Sequence, residues 1–284
     1  MSTHADVVYL DLVKRVMDEG VFKPSRTGVD TISLFSAHYQ LDLAAGFPLL
    51  TTKKMNWNAV LRELLWYLSG ENHIRNLRQH TKIWDDWADA DGNLDTAYGY
   101  YWRHFPSAEK DADGQWRVRE VDQIRYVIDA LKQNPESRRL VVSAWEPGNA
   151  IRSKLPPCHY TFAFHAANGR LNCHLCQRSG DLALGIPFNM AAYAALTQMI
   201  AQEVGMQAGR FAHTIVDAHI YVAKPGAATQ DHDHLEGLKQ QLTREPYPLP
   251  KLLIAPKPFD ELRFEDFELV GYRCHDPIRF KVAV

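Results

Sequence analysis

Cysteine is scarce. Four residues in 284 are too few for a disulfide framework in a chain of this length, and predict a reducing, cytoplasmic compartment. Neither charge sign dominates: 32 Lys plus Arg stand against 34 Asp plus Glu, for a formal net charge of -2. That excludes a basic coat for nucleic acid and an acidic tail. Residues 1–6 lack the basic and apolar regions of a secretory signal, so none is expected. No repeat, low-complexity tract or Gly/Ser linker divides the chain, and one domain over residues 1–284 is expected. One uncharged run, residues 182–202, approaches the ~20 residues of a membrane span. Gly185, Pro187, Asn189, Gln198 and Gln202 interrupt it, and it reads as a loop followed by a buried helix starting near Met190.

What is present is enough for a core: 46% of residues are hydrophobic and 23% charged. Residues 5–19 carry Val8, Leu12 and Val16 on one helical stripe, with Gly20 as the stop. Residues 33–43 alternate, placing Phe35, Ala37, Tyr39, Leu41 and Leu43 on the buried side of a strand. Trp57, Val60, Leu61, Leu64, Leu65 and Leu68 mark a helix ending at Gly70, with Trp66 on its opposite face, so that helix is expected to be buried all round. Val121, Ile124, Val127, Ile128 and Leu131 predict another, stopping at Asn134-Pro135. Residues 140–145, 160–167 and 170–178 read as strands, the last two joined by Asn168-Gly169, the strongest short hairpin signal. Pairing Ala167 with Arg170 puts Cys158 beside Arg178 and Ser179. Residues 222–233 read as a polar loop and 244–250, with its prolines, as extended chain. The expected class is α+β: a mixed or antiparallel sheet packed with helices.

Cys158 follows Pro156-Pro157 and precedes His159. A cation near a thiol stabilises the nucleophilic thiolate, and a buried structural cysteine is the plain alternative. Cys173 and Cys176 form a C-x-x-C, but on one strand a spacing of three sets them on opposite faces, and no second pair exists. No metal site is expected there, nor at Asp231-His232-Asp233-His234, which reads as a solvated loop. Arg26, Arg138, Arg139 and Arg178 recur where an anion can be gripped bidentately, with surface ion pairs as the alternative. Glu63 flanks the stripe of a mostly apolar helix, where desolvation raises a carboxyl towards general acid/base use. Asn189 presents donor and acceptor together, as a pyrimidine edge requires, or else caps a helix.

Taken together these residues resemble the folate-dependent thymidylate synthases. The resemblance runs through Ser25-Arg26-Thr27-Gly28, Gly46-Phe47-Pro48-Leu49, Thr51-Thr52-Lys53, Glu63-Leu64-Leu65-Trp66, Ile83-Trp84-Asp85-Asp86-Trp87, Tyr98-Gly99, Trp102-Arg103 and Ser137-Arg138-Arg139. Its most specific stretches are Leu155-Pro156-Pro157-Cys158-His159 and Gln177-Arg178-Ser179-Gly180-Asp181, running on to Gly185-Ile186-Pro187-Phe188-Asn189. Asp217-Ala218-His219-Ile220-Tyr221, Arg244-Glu245-Pro246 and Val282-Ala283-Val284 complete it.

The resemblance implies reductive methylation of dUMP to dTMP, with 5,10-methylenetetrahydrofolate giving the one-carbon unit and the hydride and leaving as dihydrofolate. It implies that Cys158 adds to C6 of the uracil, with Glu63, Tyr98, Arg178 and Asn189 completing the catalytic set. For dUMP it implies Arg26, Arg178 and Ser179 on the phosphate, joined by Arg138 and Arg139 from the partner of a homodimer. Asn189 would hold the uracil N3 and O4 and His219 and Tyr221 the ribose hydroxyl, with His159 and Asp181 also among the dUMP-binding residues. For folate it implies Ile83, Trp84, Trp87, Leu155, Asp181, Leu184, Gly185, Phe188 and a closing Val284, with no metal. Departures from the family pattern are Asn56 for His, Tyr101 for Gln, Glu146 for Asn and Val216 for Gly. The Asn-His that normally follows Tyr221 is absent there; residues 223–233 resemble an insertion, with Asp233-His234 as the displaced counterpart. A pyrimidine-nucleotide 5-hydroxymethylase is the rival on the same fold, and Asn189, Trp84 and the terminus favour methylation of uracil. A non-catalytic nucleotide binder or an RNA-binding protein is opposed by the catalytic set and the net charge of -2.

Overall fold

The computed structural model describes residues 4–25, 28–94, 97–224 and 226–283. Its helices are α1 (Ala5–Glu19), α2 (Trp57–Ser69), α3 (Tyr98–Arg103), α4 (Gln123–Gln133), α5 (Pro147–Ala150), α6 (Gly185–Glu203) and α7 (Leu235–Leu242). Its strands are β1 (Val21–Lys23), β2 (Asp30–Asp42), β3 (Phe105–Lys110), β4 (Trp116–Val121), β5 (Val141–Ser143), β6 (Thr161–Ala167), β7 (Arg170–Gln177), β8 (Gly180–Asp181), β9 (Gln207–Val222), β10 (Lys251–Ile254) and β11 (Phe267–Val270). The main sheet has the order β1-β2-β9-β7-β6-β5, with β8 also on β9. It is mixed: β9 is antiparallel to β2 and parallel to β7 and β8. Strands β7 and β8 lie end to end along one edge of β9, and Arg178-Ser179 occupies the gap between them. This is the expected α+β class.

Local chemistry accounts for the element ends. Asn168 and Gly169 both take left-handed backbone, φ 52° and 71°, which suits the twist of the two-residue turn joining β6 to β7. The register is the expected one, Ala167 with Arg170 through Thr161 with Cys176. Asn56 caps α2 by accepting from the Ala59 amide at 3.2 Å. Helix α6 is buried nearly all round, Met190, Tyr193, Leu196 and Ile200 among its interior residues, and packs against β7 and β9 of the sheet and against α2.

Four expectations need correction. Helix α6 begins at Gly185, not near Met190: Pro187 falls in the first turn, where a missing N–H breaks no helical bond. Asn189 therefore lies inside the helix and is not its cap. Phe35 is 81% exposed, because Ser36 takes φ 59° and the β2–β9 ladder skips it, releasing the preceding side chain. Val121 belongs to β4, the return strand of an unanticipated exposed hairpin, and not to α4. The 231–234 run is not simply solvated, since His234 is fully buried.

Asp6, in the first turn of α1, is also fully buried. Its carboxylate accepts from the Thr51 and Thr52 amides and from both threonine hydroxyls, at 2.6–3.0 Å. The same bend receives Gln241 of α7 on the Thr52 hydroxyl and Arg244 on the Thr52 carbonyl. Asp6→Ala would leave two amides and the Thr52 hydroxyl unpaired in the interior, the Thr51 hydroxyl keeping the Tyr247 carbonyl at 3.4 Å. The expected cost is about 3–5 kcal/mol, read as a fall in Tm of roughly 10 °C; a shift under about 2 °C would refute this account.

Candidate active site

The open end of the β6–β7 hairpin holds Cys158. Two prolines precede it, and their carbonyls accept from the Arg178 guanidinium: Nε to Pro157 at 3.0 Å and Nη2 to Pro156 at 2.7 Å. The Arg178 amide donates to the Cys158 carbonyl at 2.8 Å, the expected adjacency. From the other side the Cys158 amide donates to the Tyr98 hydroxyl oxygen at 2.7 Å. The loop is thus clamped on both flanks while the residue itself stays half-buried. A thiol is held on fixed backbone beside a guanidinium.

Tyr98 is the hub. Its ring stacks flat on His159, 3.6 Å between centroids and 3° between planes. His159 shares a 2.8 Å hydrogen bond with Tyr193, and burial pushes its imidazole down to about 3, so it is neutral. Its ring is turned into the interior, 4% exposed, among the rings of Tyr98, Tyr193 and Tyr67. Burial raises the Tyr98 phenol well above its ordinary value, with Cys158 adding to the rise and Arg178 opposing it. Cys158, Arg178 and Glu63 all lie within electrostatic reach of that one hydroxyl.

Glu63 enters from α2. Its Oε1 accepts from the Trp84 indole at 2.7 Å, and the Tyr67 hydroxyl, one turn along the helix, binds it too. Burial pushes its carboxyl up to about 7, with the Trp84 and Tyr67 hydrogen bonds only partly offsetting that. Tyr67, Trp84 and Tyr98 wall it in, their centroids 5.4–6.3 Å apart. A dry carboxyl that changes charge near neutrality suits proton transfer. Trp84, Trp87 and Leu155, all expected at the folate, line one cavity of about 70 Å³; Ile83 is half-buried just before them.

The third wall comes from β8, β9 and α6. Asp181 and His219 pair across the sheet. His219 lies 3.5 Å from Asp217 Oδ1 and packs edge-on against Tyr221 at 5.1 Å. Hydrogen bonding to His219 leads the forces holding Asp217 far below the ordinary carboxylate range. Asp181 Oδ1 accepts from the Ala183 amide at 2.8 Å. Leu184, Gly185, Phe188 and Asn189, half-buried, form the α6 entrance, and half-buried Ser179 sits in the strand gap.

Arg138 and Arg139 are elsewhere. Both are exposed, and neither guanidinium is ion-paired among the described residues. They precede β5, whose Val141 pairs with Ala163, and so flank the Asn168 end of the hairpin while Cys158 holds the other end. That is a separation of about 20 Å at ~3.3 Å per residue. Arg26 and Val284 fall outside the described residues. Sequence reasoning missed Tyr67, for which the Glu63 i,i+4 spacing was the signal. It also missed Tyr193 and Lys53. Lys53 is 4% exposed, donates to the Ala183 carbonyl, and is pushed by burial down to about 8, with Asp181 opposing. No cluster of three metal-ligating side chains occurs among the described residues. Cys173 is buried against α6, its thiol pushed up by that burial to about 12.

The sequence profile of the family described as thymidylate synthase matches residues 7–284. A curated relative, thymidylate synthase of Haloferax volcanii, is 47% identical over 335 aligned positions, covering 99% of this chain and 97% of that protein.

Proposed function

The chain belongs to the thymidylate synthase family and is a methyltransferase that converts dUMP to dTMP; from that premise we propose how its own residues divide the work. Cys158 is the nucleophile. Its thiolate adds to C6 of the uracil, which places nucleophilic character on C5 and splits one hard substitution into easier steps. Methylenetetrahydrofolate, the co-substrate, supplies the carbon and the hydride. The observation that carries the assignment is the double clamp on the Cys158 loop, Arg178 on two proline carbonyls and Tyr98 on the amide, because a reacting sulfur must be held within a fraction of an ångström.

Glu63 and Tyr98 handle the protons. The C5 hydrogen must leave, and a buried carboxyl poised near 7 can accept it through a relay. Asn189 offers donor and acceptor to the uracil edge, and His219 and Tyr221 face the ribose. His159 acts one layer back, fixing the Tyr98 ring. On the folate side the indoles of Trp84 and Trp87 offer apolar faces, and the Asp181 carboxylate accepts from a ring N–H. Ile83, Leu155, Leu184, Gly185 and Phe188 complete that wall and exclude water from it.

The phosphate needs more than Arg26, Arg178 and Ser179, since Arg178 already spends donors on carbonyls. Arg138 and Arg139 cannot reach the Cys158 end of their own hairpin, so they serve the site of a second copy in a homodimer. Exposed apolar side chains on two neighbouring strands support the pairing, Phe35 of β2 and Val216 of β9, 81% and 42% exposed. One catalytic unit spans residues 1–284. The four cysteines form no disulfide, which fits a reducing cytoplasm, and no described helix is long and apolar enough to cross a membrane.

Two experiments test this. With dUMP and methylenetetrahydrofolate, dihydrofolate should accumulate and the product mass should be that of dTMP, with dCMP inert; 5-hydroxymethyl-dUMP would overturn methylation. Arg138→Gln and Cys158→Ala, each inactive alone, should regain up to about a quarter of wild-type activity on subunit exchange, as one wild-type site forms per mixed dimer. No recovery would refute the shared phosphate site.

A further inference from the structure

His234 opens α7 and is 0% exposed, yet both ring nitrogens face acceptors. Nε2 lies 2.8 Å from the Lys281 carbonyl oxygen, and Nδ1 lies 3.4 Å from Asp181 Oδ1. Nδ1 makes no hydrogen bond at that distance, but it stands within ion-pair range of the carboxylate: a neutral imidazole can serve the carbonyl with its one N–H, and only the imidazolium also pairs with Asp181. Packing fixes the ring: Tyr221 meets it edge-on at 5.6 Å and Phe280 at 5.0 Å, and its amide donates to the Tyr221 carbonyl at 3.0 Å. Burial would lower the imidazole's affinity for its second proton, and Asp181 more than reverses that.

The preceding loop is built to leave His234 undisturbed. Asp233 Oδ2 accepts from the Ala223 amide at 2.8 Å and its Oδ1 from the Leu235 amide at 2.9 Å, closing the loop at its base. Asp231, further out, pairs at 2.5 Å with Lys281 Nζ, on the residue whose carbonyl His234 holds. Lys281 is therefore met twice, by the Asp231 carboxylate on its ammonium and by the His234 ring on its carbonyl. The other charged or titratable groups near the ring are Lys53, which opposes its charge, Tyr221, and His219 across Asp181.

We propose that His234 is a positioning residue of the folate side, coupling the Asp181 carboxylate to the seating of the carboxy-terminal segment. The imidazolium fixes one carboxylate oxygen and leaves the other for the folate, so the tail must be docked for Asp181 to be correctly aimed. By linkage, folate binding then tightens the tail. This rests on the reading of Asp181 as a folate contact.

The test is a double-mutant cycle of Asp181→Asn and His234→Gln, reading KM for methylenetetrahydrofolate, kcat and the Kd for dUMP. Each single change should raise the folate KM by about tenfold, and the double should be no worse than Asp181→Asn alone, because His234 acts through Asp181. The Kd for dUMP should stay within about twofold throughout, a split that general destabilisation would not produce. Additive effects, or an equal loss of dUMP affinity, overturn the proposal. If Asp181→Asn leaves the folate KM unchanged, the reading of Asp181 itself fails; if only His234→Gln is silent, that reading stands and the coupling fails. Should the glutamine variant not fold, nitrogen-15 shifts of the wild-type histidines decide: His234 should be doubly protonated at pH 7, and a neutral tautomer overturns the assignment.

Discussion

Cys158→Ala is expected to reduce turnover by at least about 10⁴-fold while changing dUMP affinity by less than about threefold. The reasoning is geometric. The backbone of residue 158 is held by the Arg178 amide, by the prolines that Arg178 clamps, and by Tyr98, none of which uses the sulfur. Removing Sγ therefore leaves the loop in place and the pocket formed. Equilibrium dialysis of dUMP beside single-turnover kinetics separates the two quantities. If turnover persisted within about tenfold of wild type, the covalent route would be wrong. If dUMP binding collapsed with it, the thiol would be holding the loop. Arg178→Lys is a natural companion, since an ammonium cannot span two carbonyls as the planar guanidinium does.

The second large effect belongs to Glu63. Glu63→Gln should lower kcat by about 10²–10⁴-fold and remove the dependence of kcat on a group titrating near neutrality, measured together with exchange of the uracil C5 hydrogen. The same substitution should stabilise the fold in a pH-dependent way. The carboxyl titrates near 7 when folded, against an ordinary 4.5, so between these values the folded chain holds a proton that the unfolded chain has lost. Stability then falls as pH rises through that window, by about 3 kcal/mol in all, and glutamine, neutral throughout, escapes the loss. The Tm advantage of Glu63→Gln should therefore be small at pH 4.5 and largest above pH 7. An advantage independent of pH, or reversed, would show that Glu63 is an ordinary carboxylate in the folded protein.

Much of this was legible in the residues because it was local. Asn168-Gly169 set the β6–β7 register, and that register alone brought Arg178 to Cys158. The apolar stripes of α1 and α2 and their terminal glycines gave those helices their limits, and the position of Glu63 on an apolar helix announced its desolvation. What escaped depended on tertiary placement or on one unusual dihedral. Ser36 in left-handed backbone turned Phe35 outward against a clean alternation. Pro187 reads as a breaker until it is seen in a first turn. Trp84 was expected at the folate, and nothing in its neighbours indicated that its indole N–H would be given to Glu63. The burial of His234 could not be read from a run of Asp and His in a polar stretch, because its partners lie in β8 and at residue 281.

Strand β9 carries a consequence for biosynthesis. It joins the amino-terminal β2 to the β6–β7 hairpin, and Asp30 finds its partner in Val222 only after most of the chain has left the ribosome. Pairings so distant along the chain form slowly. The nascent protein must therefore carry two unjoined half-sheets until this strand threads between them. Chaperone demand and aggregation risk concentrate in the interval.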